Sequence, residues 1–317
     1  MITISVPGKV HLLGEHSVVY GKPALLAAIN KRILITIAPS KTKQIDGVQG
    51  YEIEVNKLLE VLESEIKNKL KLKKINPYII AIKSEIPVGS GLGSSAALSA
   101  GLTAALLSFL KAPWDNKTVF DIAYAGEKFF HGNPSGGDLA AVIEGGFLWF
   151  RKEFEFLKTF SPLPFKPHKN IKQFVLISSG KPEESTREMV EKAAKFKMKF
   201  PAKTQSLFAS QEELTKKMAI ALRDGDENGV IESIKLGEKN LEELEVVGQK
   251  AKNIIREIEK LGGAAKISGA GGFKAGSGML IAYHKLPDVL DKLFLRLKIE
   301  NSKIILGEEG LRQEKYE

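Results

Sequence analysis

Residues Pro87 to Ala97 read PVGSGLGSSAA. Tyr78 to Ile82 upstream form a short strand-like run, and Leu98, Leu102, Leu106 and Phe109 downstream recur at helical spacing. The stretch is therefore strand, glycine loop, helix. Glycines 89, 91 and 93 let several backbone N–H groups converge on one ligand, and the helix N-terminus behind them favours an anion. A triphosphate suits such a cradle, which makes Pro87, Val88, Gly89, Ser90, Gly91, Leu92, Gly93, Ser94, Ser95, Ala96 and Ala97 candidate ATP-binding residues. Ser94 and Ser95 fit either caps or hydroxyl ligands. No Gly-Lys-Ser/Thr follows, so the loop is not a Walker P-loop, and it is not a Rossmann GxGxxG fingerprint. The competing reading is a glycine-rich turn with an ordinary Ser N-cap.

Three other stretches carry polar groups of interest. SGAGGFKAGSG at Ser268 to Gly278 is a second glycine cluster between two expected strands. It is either a wide hairpin loop or, with the first loop, half of a grip on one anion, through Gly269, Ala270 and Gly271. PGKVHLLGEHSVVYGKP at Pro7 to Pro23 sets Lys9, Glu15 and His16 around a turn at Gly14. Glu127 lies about 80° from Val119, the centre of its helix's apolar stripe, whereas Lys128 lies about 180° away. A carboxylate on that shoulder needs a cation partner, either Lys/Arg or a metal ion. Asp138 follows GNPSGG, a loop able to aim a side chain at a site; otherwise it is the N-cap of the helix beginning LAAVIEG.

Composition bounds the rest. The 317 residues, 43% of them hydrophobic, exceed one average domain and have a soluble globular balance. There is no Cys, which excludes disulfides and thiolate chemistry and fits a reducing compartment, the cytoplasm. The N-terminus reads as a strand rather than a signal peptide. Gly91 to Leu110 is uncharged, but its GLGSS start is turn chemistry and the remainder is the length of a buried core helix. The net charge of +9 invites a nucleic-acid reading. The basic runs at 68–76 and 192–200 lack interleaved aromatics, however, and read as solvated helix faces.

Alternation predicts strands at Ile33 to Ile37 and Tyr51 to Val55, before an amphipathic helix from Asn56 to Leu70. A helix over Lys117 to Phe130, capped by Asp115 or Asn116, and a strand at Phe147 to Phe150 follow. Pro162, Pro164 and Pro167 then mark a domain boundary near 165, giving domains 1–165 and 166–317. The second domain should hold a strand at Phe174 to Ser178, a helix from Thr186 and a long helical region to Leu261. Strands near Ala265, Met279 to Tyr283 and Lys303 to Leu306 and a helix near Asp288 to Leu297 complete it. The class is α+β.

With these residues assembled, the chain resembles the GHMP kinase superfamily, whose three motifs occur in order as PGKVHLLGEH, PVGSGLGSSAA and KISGAGGFKAGSG. The resemblance spans nearly the whole chain. Within the superfamily, GEHSVVYGKPAL is similar to the mevalonate kinase family, where galactokinases carry a GEHTDY type of sequence; HGNPSGGD at His131 to Asp138 agrees. The resemblance implies a ribosomal protein S5 domain 2-like N-terminal domain, a ferredoxin-like C-terminal domain and a cleft holding ATP and mevalonate. It further implies Asp138 as base at the C5 hydroxyl, Lys9 beside it, and Ser95 and Glu127 as Mg²⁺ ligands. Glu15, His16 and Ser135 would lie near mevalonate, with His16 a candidate partner for its carboxylate. Thr186 resembles a threonine kept near the substrate, although Ser185 and Glu188 have capping-box spacing there. Phe273, Lys274 and Ala275 interrupt the third motif, and Lys274 either contacts a phosphate or points to solvent.

The nearest rival readings are a kinase of phosphomevalonate or of the mevalonate 3-hydroxyl, and a non-catalytic ligand sensor. GEHSVVYGKP argues against the first, and Lys9, Glu127 and Asp138 together argue against the second. No GxSxG or HExxH occurs, so hydrolase and zinc-protease chemistry lack their motifs. Neither nucleic acid nor membrane is an expected partner, and monomer and homodimer are both open.

Overall fold

Two long strands start the first sheet. β1 (Ile2–Leu13) and β2 (Pro23–Pro39) pair antiparallel, from Ile2 opposite Ile37 to Leu13 opposite Leu25. The structure, a computed structural model, describes every residue except Asn133, Glu155, Lys172, Tyr316 and Glu317. Gly14, at φ +98°, makes the turn possible, because a Cβ there would lie 2.4 Å from the Cα of Ala24. β2 is long enough to carry two partners on one side: β4 (Tyr78–Ser84) along Ile33 to Pro39 and β5 (Phe147–Lys152) along Pro23 to Ala27. β3 (Gln44–Asp46) runs parallel to β4, and β6 (Lys158–Leu163) extends from β5.

Helices α1 (Glu52–Leu70), α2 (Ser94–Phe109), α3 (Asn116–His131) and α4 (Gly137–Glu144) belong to this half. α2 is buried on nearly every side, which accounts for its uncharged run. Among the described residues no helix is long and apolar enough to cross a membrane. The strand expected at Tyr51 to Val55 is instead the start of α1. Ile53 is 68% exposed, while Val55, Leu58, Leu59, Leu62 and Ile66 are buried at helical spacing, so the longer period overrides the short alternation. β6 was hidden by its proline: Pro162 pairs with Leu148 on an edge strand, where no second ladder needs its missing N–H.

The second sheet comprises β7 (Phe174–Ser178), β8 (Ala264–Ile267), β9 (Met279–Tyr283) and β10 (Asn301–Ile304), all antiparallel in the order β10-β7-β9-β8. This is the ferredoxin-like order, with one crossover filled by α9 (Pro287–Leu297). The other crossover is the long helical region, which resolves into α5 (Thr186–Lys199), α6 (Pro201–Asp224), α7 (Glu227–Glu243) and α8 (Gln249–Lys260). Pro201 opens α6. Gly225 closes it in a left-handed conformation, and Asp226 caps α7 through the Gly229 N–H at 3.0 Å.

The halves share a core. One apolar cluster runs from Val6, Leu13 and Ile35 through Leu214, Met218 and Ile234 to Ile281 and Tyr283. β11 (Arg312–Gln313) returns to pair with β1, and Arg32 holds the segment before it. Its guanidinium donates to Glu308 Oε1 at 3.1 Å and to the carbonyls of Glu309 and Gly310 at 2.7 and 2.8 Å.

Candidate active site

Lys9 and His11 alternate along β1 and therefore project from the same face. Both reach Asp138 in the first turn of α4. Lys9 Nζ stands 3.0 Å from Asp138 Oδ2, and His11 Nε2 stands 3.4 Å from Oδ1. Burial works against the Asp138 charge. The Lys9 ammonium and His11 outweigh it and hold the carboxyl well below the usual carboxylate range. Asp138 is not the helix cap, because Gly136 occupies that position. With 39% of its side chain exposed, against 3% for Lys9, its carboxylate faces an open space.

The glycine loop packs directly on this pair. Gly89, Gly91 and Gly93 all have positive φ, and Gly93, not a serine, is the N-cap of α2, with no side chain bonded into the helix end. The first N–H groups of α2 are thus left for a ligand. A Cβ on Gly93 would lie 2.9 Å from Lys9 Cγ, so the missing side chain is what lets Lys9 pass beneath the loop. The Lys9 N–H also donates to the Leu92 carbonyl at 2.9 Å. Glycine loop and Lys9–Asp138 pair form one unit.

Glu127, on the shoulder of α3 as its helical angle requires, is buried near the Ser95 hydroxyl. Burial first, and then the nearby Asp138 charge, push its carboxyl up to about 7, against the pull of Ser95 and Lys9. Oε1 has no hydrogen-bond partner among the described residues. Among those residues no three His, Cys, Asp or Glu side chains gather into a ready-made metal cage. One carboxylate and one hydroxyl nevertheless fit Mg²⁺, which keeps waters and phosphate oxygens as its other ligands. His131, at the end of α3, places Nε2 3.1 Å from Ser95 Oγ. Burial lowers the pKa of His131, so the ring is neutral and able to take the hydroxyl hydrogen.

The third motif closes the other wall. The His11 N–H donates to Ser268 Oγ at 3.0 Å, and a Cβ on Gly91 would meet the Ser268 carbonyl at 3.1 Å. His16 Nε2 lies 2.9 Å from the Ala270 carbonyl. Burial lowers the pKa of His16, and its carbonyl partner puts the single proton on Nε2, leaving the buried Nδ1 as an acceptor with no partner among the described residues. Glu15 turns to Lys266 instead of the open space. Ser135 is exposed, and its hydroxyl accepts the Gly137 N–H at 3.2 Å. Thr186 stands exposed at the first position of α5, where the Ser185–Glu188 capping box is fully formed.

The interruption at Phe273 to Ala275 bulges outward. Ser277 closes its base by donating to the Gly272 carbonyl at 2.7 Å, and the Lys274 N–H donates to Glu184 Oε1 at 3.0 Å. Lys192 Nζ lies 4.3 Å from the Phe273 ring centroid, and Lys274 Nζ lies 6.0 Å from it. Gly269, Ala270 and Gly271 remain on the cleft side, against His16 and the Val246 carbonyl.

Sequence reasoning missed His11, His131, Lys266 and Glu238. His11 was legible from the period of two with Lys9, and His131 from its place beside GNPSGG. Lys266 interrupts an apolar strand, and Glu238 shares the buried face of α7 with Ile234 and Leu241.

Residues 54–146 match the GHMP kinases N terminal domain family. A mevalonate kinase of Archaeoglobus fulgidus is 32% identical over 271 residues, covering 84% of this chain and 88% of that protein. Among solved structures, L. major mevalonate kinase in complex with R-mevalonate has a TM-score of 0.80 at 22% identity, covering 96% of each chain. Methanococcus jannaschii mevalonate kinase has a TM-score of 0.81 at 21% identity, covering 96% of this chain and 98% of that one.

Proposed function

The chain belongs to the mevalonate kinase family of the GHMP kinases, and from that premise we propose how its cleft transfers a phosphoryl group. The reaction is ATP-dependent phosphorylation of the C5 hydroxyl of mevalonate, giving 5-phosphomevalonate. The observation that carries the assignment of roles is the ion pair of Lys9 with a partly open Asp138, directly beneath the glycine loop. Phosphoryl transfer is mostly positioning and charge neutralisation around an in-line attack.

Pro87 to Ala97 and Gly269 to Gly271 hold the ATP phosphates from opposite sides. Asp138 accepts a hydrogen bond from the attacking hydroxyl and aligns it. An aspartate is a weak base for an alcohol, but in a loose transition state the proton leaves late, when the oxygen is already bonding to phosphorus. Lys9 keeps Asp138 ionised and favours negative charge on the attacking oxygen. Ser95 and Glu127 would hold Mg²⁺, which supplies neutralising charge at the β and γ phosphates. His16 and Ser135 flank mevalonate, Glu15 serves that end through its neighbour, and Thr186 lies at the mouth. Neutral His16 offers an acceptor, which suits a hydroxyl; facing the carboxylate requires a second proton on the ring. Residues 1–165 and 166–317 are the two domains, with 308–313 reaching back to the first. The Cys-free composition supports a reducing compartment, the cytoplasm.

Purified protein with Mg-ATP should release ADP when given mevalonate, read in a coupled assay across mevalonate, phosphomevalonate and sugars. Turnover of phosphomevalonate without turnover of mevalonate overturns the substrate. Glu127→Gln combined with Ser95→Ala should raise the Mg²⁺ concentration for half-maximal rate by about 10-fold or more. An unchanged requirement in a titration of the folded variant removes both as ligands.

A further inference from the structure

Behind the cleft, three ionisable side chains from distant parts of the sequence are sealed together. Lys266, on β8, has no exposed surface; its Nζ donates to a carboxylate oxygen of Glu15 and to the Ile267 carbonyl. Glu15 is 3% exposed and sits between Gly14 and His16. Glu238, on α7 and fully buried, accepts the Ile267 N–H at 3.0 Å. Glu15 Oε2 and Glu238 Oε1 have no partner among the described residues. None of the three is exposed enough to meet a ligand in the cleft.

Burying charge is costly, and an ion pair in an interior adds little net stability over apolar residues of similar size. Its effect is geometric. Here the pair joins the first motif to the third at one point of a wider seam that also includes His16 on the Ala270 carbonyl and the His11 N–H on Ser268. His16 is itself held at φ +59° and ψ −45°, at the centre of a tight turn in which the Ser17 N–H donates to the Glu15 carbonyl, a strained conformation that a non-glycine residue keeps only when its surroundings impose it. The Glu15 anchor adjoins that strained residue.

We propose that Lys266 is a positioning residue: by holding Glu15 on the end of β8, with Glu238 bracing the same turn from α7, it seats the His16 loop against the third glycine motif and sets the mevalonate end of the cleft. This rests on the reading of the cleft given above. Charge balance in the cluster agrees. Burial pushes Glu238 up to about 8, against the pull of Lys266 and the Ile267 N–H, and Glu242 and Glu15 add to the rise. At neutral pH Glu238 is therefore mostly a carboxylic acid beside the Lys266–Glu15 ion pair.

The test separates seating from bulk stability. Lys266→Met alone strands Glu15 as a buried charge and is expected to unfold easily. Lys266→Met with Glu15→Gln removes both charges at similar volume, and its unfolding midpoint should stay within about 5 °C of the parent. In that double variant the KM for mevalonate should rise about 10-fold or more while the Kd for Mg-ATP moves less than about 3-fold, because only the substrate loop loses its anchor. A folded double variant with unchanged mevalonate KM overturns the proposal, as does an equal loss of ATP affinity. A double variant that does not fold overturns the separation on which it rests.

Two readouts do not depend on turnover. In ¹⁵N-histidine spectra, His16 should keep its Nε2–H tautomer in the parent and exchange that proton faster in the double variant; identical exchange counts against the proposal. Glu238→Gln should match the parent's unfolding midpoint near pH 5 and exceed it at pH 8, because the stability of a group with a raised pKa is lost as pH rises through it. Coinciding profiles remove Glu238 as the proton carrier beside Lys266, Glu15, Glu242 and His16. A parent that does not turn over mevalonate fails the functional reading, while the spectra and pH profiles still test the seating.

Discussion

Asp138→Asn is expected to lower kcat by about 10²- to 10⁴-fold, the usual range for loss of a positioned general base. Asparagine keeps the size of the side chain and its place in the first turn of α4, but it cannot accept the hydroxyl proton at the end of the transfer. Nor does it satisfy Lys9, whose ammonium lies 3.0 Å from the carboxylate it replaces. ATP affinity should survive, since removing a negative charge beside the phosphates does not repel them, and a fluorescent-nucleotide titration checks this. A variant keeping about a tenth or more of the parental rate removes Asp138 as the base.

The second large effect is at Lys9. Lys9→Met keeps the stem that runs under Gly93 but deletes the ammonium, and kcat should fall by about 10²- to 10³-fold, as when one donor to developing oxyanion charge is lost. A further signature belongs to this residue. Burial alone would raise the pKa of Asp138, and Lys9 is the largest influence holding it down. In Lys9→Met the acid limb of the pH–rate profile should therefore move to higher pH, toward neutrality; an unmoved limb means that Lys9 does not control the ionisation of Asp138. Combining the two substitutions should cost little more than the worse of them, because the pair acts as a unit.

Local pattern drew attention to Asp138, Lys9 and Glu127, while their grouping around one site was implied only by the resemblance to the GHMP kinases. Lys9 lies in a strand, Glu127 has a fixed angle on a helix, and Asp138 follows a loop that only glycine-rich sequence can form. The direction of Glu15 was not legible. Its position beside His16 points to the substrate end, yet its carboxylate is taken by a lysine 251 positions away. No local period carries that pairing. The start of α1 failed for the opposite reason: Tyr51, Ile53 and Val55 alternate locally, while the burial that decides the helix begins at Val55 and continues to Ile66. β6 was concealed because prolines signal loops except at a sheet edge, and edge position is a property of the assembled sheet.

The return of β11 to β1 has a consequence for synthesis. β1 leaves the ribosome well before β11, yet its outer edge pairs with Arg312 and Gln313, and Arg32, which also donates to Ser5, takes its Glu308, Glu309 and Gly310 acceptors from the same late segment. The first sheet cannot be finished in the order in which it is translated. Until β11 has emerged, that edge presents free backbone groups able to pair with another nascent chain, so folding while still attached exposes this protein to cross-pairing until that strand arrives.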